Sequence, residues 1–542
     1  MTTDISRKIV KSFRSKGLTI AADAVNALVS VLAKEDDVDG SLGLVINELK
    51  ERIQKRDLRI PIVDVETITS IVADLSASEE DIAHDSIQLY DAFSCPKLTI
   101  DEIQKTYKMV SNPKYELFGT IESKARMFRE RLIYTQQRML RSGLYVLKGL
   151  GKMTTQGSFE LSTIQSLLGS SGDKLLFGMI TQVEEGVWYL EDLSSIIPLN
   201  LSDASSYQHF YTEGCQVICQ GELVNGVFKV KNLSLPPAED RETTLRALGL
   251  TDSFGEGFSA QQLESMRQLE VTAKDSLVVI LSDVQLDKPL VMEKLAQMLA
   301  GFEESGATPL FVLMGSFISK PVSRSAGGRQ KVIAAFDALS EVICSCSRLA
   351  ENAKFLLIPG PLDVGMGSSA TLPRRPIPAE LTGSLQQRVK HVTLASNPCR
   401  LRLFTQEVVL FREDLLKKMQ RHLAMPLKLP VEEDDSEEDG VDDEEIDDKK
   451  RIPDITEQLV ESILYQGHLC PLPLTCSPVY WELDYTLRLC PLPHLLILAD
   501  HAEHYSYDCK SCQTANPGSF SSDFSFIVYN PANTFVEFSR II

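Results

Sequence analysis

The 542-residue chain lacks the features that would place it in a membrane or secreted class. No apolar run approaches the ~18–20 residues that a membrane-spanning helix needs. The N-terminal residues have no apolar core of the kind found in signal peptides. The eleven cysteines are odd in number and scattered, which favours a reducing compartment over a disulfide framework. We therefore expect neither a membrane segment nor structural disulfides.

Common catalytic and metal-binding motifs are missing as well. Gly327 and Gly328 are not followed by the Lys-Ser/Thr pair of a phosphate-binding loop, and there is no Gly-x-Ser-x-Gly nucleophile elbow. Cys509 and Cys512 have the spacing of half a zinc site, but no second pair is clear. We expect these two cysteines to be ordinary thiols and predict no bound zinc.

A broad basic surface is also absent, since the net charge is −20. Residues 431–448 alone carry thirteen acidic residues and no basic one. Like charge and few apolar residues predict that 431–450 is a disordered surface insertion. The remainder of the chain is only mildly acidic, so tight autonomous binding of DNA is not expected.

The length of the chain is enough for three or more domains. Residues 1–75 carry apolar side chains at helical spacing, beginning with Ile5, Ile9 and Phe13. This spacing predicts an N-terminal helical bundle. The bundle either closes on its own core or docks onto a partner, and amphipathicity alone does not separate these alternatives.

Residues 76–165 have few periodic runs and are interpreted as a linker that lies on other domains. One strong helix is predicted within this linker, over 123–141, and Gly143 stops it. Lysine and arginine residues occupy most of the helix surface outside its apolar stripe. They could contact phosphates, but we favour a solvated or salt-bridged face on a bridging helix.

Residues 166–240 change to an alternation with period two. Asn225-Gly226 is a hairpin signal between two such runs. Five short strands within this stretch predict a small barrel of the oligonucleotide-binding (OB) type. Single-strand binding needs a basic groove, whereas these strands and turns carry three lysines against eight acidic residues. We therefore favour a barrel that packs against protein over an autonomous binder of single-stranded DNA.

From about residue 270 to 542, apolar strands alternate with amphipathic helices. The first strand begins at Val278, and further apolar strands are predicted over 309–314 and 355–358. A later group of strands, from 392 onwards, is typical of a second sheet. The pattern predicts an α/β sandwich of two sheets flanked by helices, within a protein that is multidomain α+β as a whole.

Polar residues follow several of these strands in an order known from two-metal phosphoesterases. Such enzymes commonly carry Asp-x-His, Gly-Asp, Gly-Asn-His-Asp, a lone His and Gly-His-x-His at successive strand ends. The chain follows the same order with the segments Asp283-Val284-Gln285, Gly315-Ser316, Gly360-Pro361-Leu362-Asp363, Gly467-His468 and Asp500-His501. The order predicts a calcineurin-like metallophosphoesterase fold.

The residues that would carry the chemistry of this fold are mostly replaced. Ser316 is neutral and cannot bridge two cations as a carboxylate does, and Leu362 cannot protonate a leaving group. At most Asp283 and His468 remain of a metal shell. We predict no catalytic, metal or cofactor site and interpret six positions as vestigial: Asp283, Gln285, Ser316, Pro361, Asp363 and His468. The alternative is an active phosphoesterase that holds a single metal at Asp283 and His468.

An OB barrel followed by a disabled phosphoesterase domain resembles the B-subunit family of the eukaryotic replicative DNA polymerases. The chain is similar to the epsilon branch of this family over nearly its whole length. The similarity is carried by 116–120, 124–131, 177–182, 281–283, 411–415, 466–469, 478–481 and 516–520. The helical N-terminal module also suits this branch, whereas the acidic insertion departs from compact members.

The resemblance implies a nuclear, non-catalytic accessory subunit without a cofactor. Its barrel and phosphoesterase domains would hold the C-terminal, zinc-containing region of the catalytic subunit, in a complex that also contains small histone-fold subunits. The N-terminal helical module would contact the GINS part of the replicative helicase. Contact with DNA would be weak or indirect, and no membrane would be involved.

Overall fold

The computed structural model describes most of the chain as two compact units. The first unit comprises Met1–Ile87 and Glu256–Thr272, and the second comprises Gln88–Gly255 and Ala273–Ile542. The described residues are 2–16, 18–32, separate positions between 42 and 71, 86–101, 106–110, 113–147, 158–206, 209–249, 254, 260–322, 325–363, 370–427 and 454–542. The predicted acidic insertion at 431–450 lies outside them. No helix in these ranges is long and apolar enough to cross a membrane.

The first unit has a hydrophobic core of its own. The helices with described bounds in this unit are Thr2–Ser15, Ala22–Leu32 and Ala260–Thr272. Ile9 and Phe13 of the first helix are buried against Val25 and Leu28 of the second. Leu42, Leu49, Val63 and Ile71 complete the same cluster. The helical spacing in this part of the sequence thus produces a packed core, as expected for a bundle.

The segment interpreted as a linker contains strands that were not predicted. Three of them are β1 (Ile87–Asp91), β2 (Lys97–Asp101) and β3 (Thr106–Val110). Two more, over 145–147 and 159–162, belong to the barrel sheet, which therefore begins before the predicted residue 166. β2 and β3 form an antiparallel hairpin, whereas β1 becomes the edge of a distant sheet. Every residue of β1 is half-buried, so the strand lacks the alternation that a sequence pattern could reveal.

The predicted bridging helix spans Ile121–Arg141, which we call the bridging helix from here on. It begins where the Thr120 side chain accepts a hydrogen bond from the Ser123 amide, and it ends before Gly143, whose φ is +73°. Its apolar residues Leu132 and Met139 pack against an outer face of the barrel. The helix therefore covers a sheet surface that would otherwise be exposed.

The barrel is a closed sheet of short strands. They are β4 (Tyr145–Leu147), β5 (Phe159–Ser162), β6 (Lys174–Glu184), β7 (Val187–Glu191), β8 (Ile196–Asn200), β9 (Ser205–Ser206), β10 (Gln216–Val224) and β11 (Val227–Ser234). The order is β10-β11-β8-β7-β6-β5-β4, β9 pairs with β11, and β10 also pairs with β6, which closes the barrel. The predicted hairpin turn is present, since Asn225 and Gly226 both have positive φ.

The last part of the chain forms two six-stranded sheets. Besides β1, their strands are β12 (Val278–Leu281), β13 (Leu310–Met314), β14 (Lys354–Ile358), β15 (His391–Leu394), β16 (Cys399–Leu403), β17 (Gln406–Arg412), β18 (Leu495–Ala499), β19 (Tyr505–Cys509), β20 (Cys512–Asn516), β21 (Ser525–Asn530) and β22 (Phe535–Arg540). The α-helices around them are Arg241–Leu248, Pro289–Ser305, Ala326–Cys344, Ser347–Asn352, Gly383–Arg388, Leu415–Arg421 and Ile455–Gln466. Short 3₁₀ helices span Ile164–Leu167, Ala379–Leu381 and Trp481–Leu487.

The strand directions bring polar residues of both sheets to neighbouring edges. The first sheet has the order β15-β14-β13-β12-β21-β22, with β12 to β15 parallel. The second has the order β1-β16-β17-β18-β20-β19, with β17 and β18 parallel. Asp283 follows β12 and Ser316 follows β13, which are neighbouring strands of the first sheet. Because parallel strands end at the same edge of a sheet, these two residues lie at one edge. Arg412 and Asp500 lie at the corresponding ends in the second sheet.

Candidate functional site

The carboxylate of Asp283, just after β12, is the centre of the candidate site. Asp283 is buried and has a φ of +56°, a conformation that aspartate tolerates. Its Oδ1 accepts hydrogen bonds from Arg412 Nη2 at 2.6 Å and from the Ser316 amide at 3.4 Å. Its Oδ2 accepts one from Ser519 Oγ at 3.2 Å and lies 3.0 Å from His501 Nδ1. Burial opposes its ionisation, but Arg412 and His501 hold the pKa of Asp283 below its usual value.

Arg412, the last residue of β17, fills the space beside this carboxylate. Its side chain is fully buried. The guanidinium donates from Nε to the Gly315 carbonyl at 2.8 Å and from Nη1 to Asp414 Oδ1 at 2.6 Å and the Ala499 carbonyl at 3.2 Å. Burial disfavours the charge, but the two carboxylates raise the pKa of Arg412. A permanent cation therefore lies against the carboxylate that the sequence analysis interpreted as a vestigial metal ligand.

Ser316 and Asp363 bind backbone groups. Ser316 Oγ accepts a hydrogen bond from the Leu362 amide at 3.3 Å. Asp363 accepts one from the Phe317 amide at Oδ1 and one from the Gly360 amide at Oδ2, both at 2.7 Å. Burial raises the pKa of Asp363 to about 6, although these amides oppose the shift. Both side chains thus tie the loops after β13 and β14 together.

The glycines of these loops are needed for close backbone contact. A Cβ on Gly315 would lie 1.8 Å from Asp363 Oδ2, and one on Gly360 would lie 2.5 Å from the Gly315 carbonyl carbon. Neither glycine is among the residues with positive φ. A left-handed backbone conformation is therefore not the reason for these two glycines. The reason is the approach of one loop to the other.

Gln285 and Pro361 stand where the enzyme pattern has a histidine and an asparagine, and neither is among the described hydrogen-bond partners of the Asp283 carboxylate. Gln285 donates its backbone amide to the Asp283 carbonyl at 2.8 Å. Its side-chain Oε1 is buried without a hydrogen-bond partner among the described residues. Pro361 is half-buried in the turn after Gly360. Pro361 therefore offers no side-chain ligand for a cation next to Asp283.

The structure places His468 in a separate polar cluster. Its Nδ1 accepts a hydrogen bond from the Cys470 amide at 3.1 Å, so its Nε2 carries the proton and donates to Asp484 Oδ1 at 3.1 Å. Burial, reinforced by Arg131, lowers the pKa of His468 to about 4. Within the described part of the chain, His468 and Asp283 share no hydrogen-bond partner. The pair that would hold a single metal is therefore not brought together.

Asp484 joins this cluster to the bridging helix. Arg131 Nε donates to Asp484 Oδ1 at 3.0 Å, and Arg488 Nη2 lies 3.5 Å from Asp484 Oδ2. Burial opposes its ionisation, but Arg131 and His468 hold the pKa of Asp484 well below its usual value. We call Arg131, His468, Asp484 and Arg488 the Asp484 cluster.

The basic residues of the bridging helix are largely engaged within the protein. Arg126 pairs with Glu482, Arg131 with Asp484 and Arg141 with Glu239, while Arg138 donates to the Tyr465 carbonyl. Lys124 lies over the Trp481 ring. The prediction of a salt-bridged face on a bridging helix is thus confirmed at Arg126, Arg131 and Arg141.

Metal and single-strand sites find little support in the described ranges. No group of three or more histidine, cysteine, aspartate or glutamate residues there is placed to hold a metal ion. Cys509 and Cys512 are buried partners across the β19–β20 hairpin. A groove of about 820 Å³ on the barrel is lined by Tyr145 and Phe159, but its charged residues are Glu160, Asp173 and Lys174. Two acids and one base are a poor match for a phosphate backbone.

Arg412, Asp414 and Ser519 were not identified as site residues from the sequence. Arg412 and Asp414 lie within the similarity segment 411–415, and Ser519 lies within 516–520. The available signal was an arginine at the carboxyl end of an apolar strand. Such a guanidinium is expected to be buried, and a buried guanidinium requires acceptor groups nearby. Its partner Asp283 lies 129 positions earlier in the chain, so local spacing could not identify the pair.

Comparisons with known proteins agree with this arrangement of domains. A family model that describes the B subunit of DNA polymerases alpha and epsilon matches residues 278–507. A second, described as DNA polymerase epsilon subunit 2-like, OB-fold domain, matches residues 121–237. The predicted OB barrel is thereby confirmed, and the matched domain includes the bridging helix.

Relatives from plants, animals and fungi match over long stretches. The B subunit of DNA polymerase epsilon from Arabidopsis thaliana is 34% identical over 100% of this chain and 99% of its own length. DNA polymerase epsilon subunit 2 of Homo sapiens is 34% identical, with 98% of each chain covered. The B subunit from Saccharomyces cerevisiae is 31% identical over 74% of this chain and 66% of its own. The chain belongs to the B-subunit family of DNA polymerase epsilon.

Proposed function

We propose that the chain is a non-catalytic accessory subunit of DNA polymerase epsilon that serves as a scaffold in the nucleus. The observation that carries the absence of catalysis is the Arg412 guanidinium on the Asp283 carboxylate. A two-metal hydrolase needs several anionic or imidazole ligands converging on its cations. Here the one retained carboxylate is bound by a tethered cation, and His468 belongs to the Asp484 cluster.

The scaffold role is supported by the way the barrel is fixed to the two-sheet domain. Gln466 Nε2 donates to the Gln216 carbonyl at 2.8 Å, and its Oε1 accepts from the Gln216 amide at 2.8 Å. Thr212 Oγ1 donates to the Pro471 carbonyl at 2.5 Å, and the Phe210 amide donates to Ser462 Oγ at 2.8 Å. Buried, satisfied polar contacts of this kind hold one relative position of two domains. A rigid surface follows, to which the C-terminal zinc-containing region of the catalytic subunit would bind.

The first unit would provide a different connection. Its closed core allows it to act as a separate binding module, and we propose the GINS part of the replicative helicase as its partner. The small histone-fold subunits would join through the same polymerase complex. Contacts with DNA would be weak or indirect, because the groove on the barrel has a net acidic lining.

Co-purification tests this assignment directly. The full chain and a variant lacking residues 1–75 are each co-expressed with the C-terminal region of the catalytic subunit and, separately, mixed with GINS. We expect both forms to retain the catalytic-subunit region and only the full chain to retain GINS. Loss of the catalytic-subunit region from the full chain would contradict the scaffold role, and GINS retention by the shortened form would contradict the division of roles.

A further inference from the structure

We infer that the Arg412 guanidinium occupies an oxygen-lined cation site, and that this site takes a hard divalent cation when the guanidinium is removed. The four oxygens are carboxylate oxygens of Asp283 and Asp414 and the carbonyl oxygens of Gly315 and Ala499. They lie 2.6–3.2 Å from the guanidinium nitrogens that donate to them. The inference rests on the proposed non-catalytic function and concerns the same group of residues around Asp283. It adds that the oxygens around the Arg412 guanidinium can still bind a metal ion.

The four oxygens come from separate segments that meet only in the folded protein. Asp283 follows β12 and Gly315 follows β13, both in the first sheet. Asp414 and Ala499 belong to the ends of β17 and β18 in the second sheet. A cation among them neutralises two carboxylates and joins the two sheets. Arg412 performs this role through a covalent link to β17, without a free ion.

The donor set defines the class of ion that would replace the guanidinium. Two carboxylates and two carbonyls are hard oxygen ligands, which suit Mg²⁺, Mn²⁺ and Ca²⁺ rather than ions that prefer nitrogen or sulfur. The oxygens surround a planar group and are more widely spaced than ligands around a bare ion. We therefore expect an ion that keeps part of its water shell, as Mg²⁺ commonly does.

The same geometry predicts that the unmodified chain does not bind an ion here. Arginine keeps its charge under all ordinary conditions, and Arg412 is fully buried between the acceptors. A divalent ion would have to displace a cation that cannot lose its proton and that is tethered to β17. The latent site should become detectable only after the guanidinium is truncated.

The experiment measures thermal unfolding of the full chain in a chelator and in excess Mn²⁺. Arg412→Ala should lower Tm by roughly 3–6 °C in chelator, because it leaves the buried Asp283 and the half-buried Asp414 without their cation in a large cooperative unit. Excess Mn²⁺ should restore at least half of that loss. The unmodified chain and the double variant Arg412→Ala/Asp283→Asn should show no such recovery.

Arg374→Ala is the matched control. Arg374 is also buried and pairs with the buried carboxylate of Glu413, but Lys418 Nζ remains 2.9 Å from Glu413 after the substitution. Arg374→Ala should therefore lose stability without gaining a response to Mn²⁺. An equal recovery in this variant would show a non-specific effect of the ion and overturn the inference.

Two outcomes for Arg412→Ala itself decide the matter. A Tm that Mn²⁺, Mg²⁺ and Ca²⁺ leave unchanged would overturn the inference, whatever the catalytic state of the chain. Should the variant not accumulate in soluble form, its yield on refolding with and without Mn²⁺ replaces Tm, and an unchanged yield overturns the inference. Hydrolysis is not read in this experiment, so failure here is distinguishable from failure of the proposed non-catalytic function.

Discussion

The Asp283 edge and the Asp484 cluster are two buried sites built on the same pairing of aspartate with arginine. The Asp283 edge comprises Asp283, Arg412 and the loops after β13 and β14, and its arginine comes from the end of a strand in the second sheet. In the Asp484 cluster the arginine comes from the bridging helix and joins that helix to the domain. The comparison shows that one pairing of buried groups can serve two structural tasks. Arg412 links the two sheets, whereas Arg131 links the bridging helix to the two-sheet domain.

The Asp484 cluster should be the more sensitive of the two to loss of its carboxylate. Asp484→Ala removes the shared acceptor of Arg131, His468 and Arg488 and leaves their donors buried. We expect the free energy of unfolding to fall by about 3–5 kcal/mol. Urea unfolding measures this loss. Asp203→Ala, at an exposed pair on the barrel, is the control and should change stability by less than about 0.5 kcal/mol.

The two sites should also differ in their response to acid. The pKa of His468 is lowered to about 4, so the neutral ring takes up a proton on unfolding below about pH 6.5. Its contribution to stability is complete above that pH and is lost as the pH falls towards about 4, with a total of about 3 kcal/mol. His468→Gln should flatten the pH dependence of stability in this window. A slope equal to that of the unmodified chain would contradict the buried neutral state.

The exposed His391 of β15 supplies the control for this pH experiment. His391→Gln should leave the slope between about pH 6.5 and 4 unchanged, because this side chain is exposed on β15 and outside the Asp484 cluster. The Asp283 carboxylate has a lowered pKa, so its contribution is lost only below the ordinary range of an aspartate. Asp363 at the same edge has a pKa raised to about 6, so its protonation adds stability as the pH falls. The loss of stability near pH 5 should therefore come from the Asp484 cluster rather than from the Asp283 edge.

A smaller effect is expected where the Asp283 edge depends on backbone contact. Gly315→Ala would place a methyl group 1.8 Å from Asp363 Oδ2 and 2.7 Å from the Gly360 amide nitrogen. We expect a loss of about 1–3 kcal/mol from overpacking, measured by urea unfolding. Gly301→Ala is the matched control, since its Cβ meets nothing within 4 Å on the helix Pro289–Ser305. That change should be neutral or stabilising by up to about 1 kcal/mol.

The smallest effect is expected at the exposed end of the bridging helix. Arg126 pairs with Glu482 at 3.2 Å, but more than half of the arginine side chain is exposed. Arg126→Ala should cost at most about 0.5 kcal/mol, far less than truncation of the buried Arg131. Equal losses at the two positions, measured under the same conditions, would show that burial does not separate these ion pairs.

Local pattern was enough to predict the elements whose signals are local. Four apolar residues predicted β12, Asn225-Gly226 predicted a hairpin, and the helical spacing around Ile9 predicted a packed bundle. β1 could not be predicted, because it pairs with β16 from a distant part of the chain and all its residues are half-buried. The strand exists because its backbone completes a sheet edge, which its own side chains do not indicate.

The sequence was enough to predict which residues of the enzyme pattern are missing, but not which side chains lie beside Asp283 and His468 in the fold. Ser316, Pro361 and Leu362 show from their chemistry alone that the enzyme pattern is broken. The guanidinium that fills the gap is only visible in the fold, because Arg412 meets Asp283 across two sheets. The position of His468 was also hidden, since its partner Asp484 lies 16 positions later, on the 3₁₀ helix Trp481–Leu487. The sequence shows which side chains occupy the motif positions, whereas only the tertiary structure shows which groups those side chains contact.

The measurement that tests the central claim most directly is Mn²⁺-dependent hydrolysis of a generic phosphodiester, such as bis-para-nitrophenyl phosphate. The purified full chain is compared with its Asp283→Ala variant and with a blank that contains Mn²⁺ alone. Because Arg412 already neutralises Asp283, we predict that neither protein exceeds the blank. Hydrolysis by the unmodified chain that Mn²⁺ supports and Asp283→Ala abolishes would contradict the account, since it would require a metal where the structure has a guanidinium.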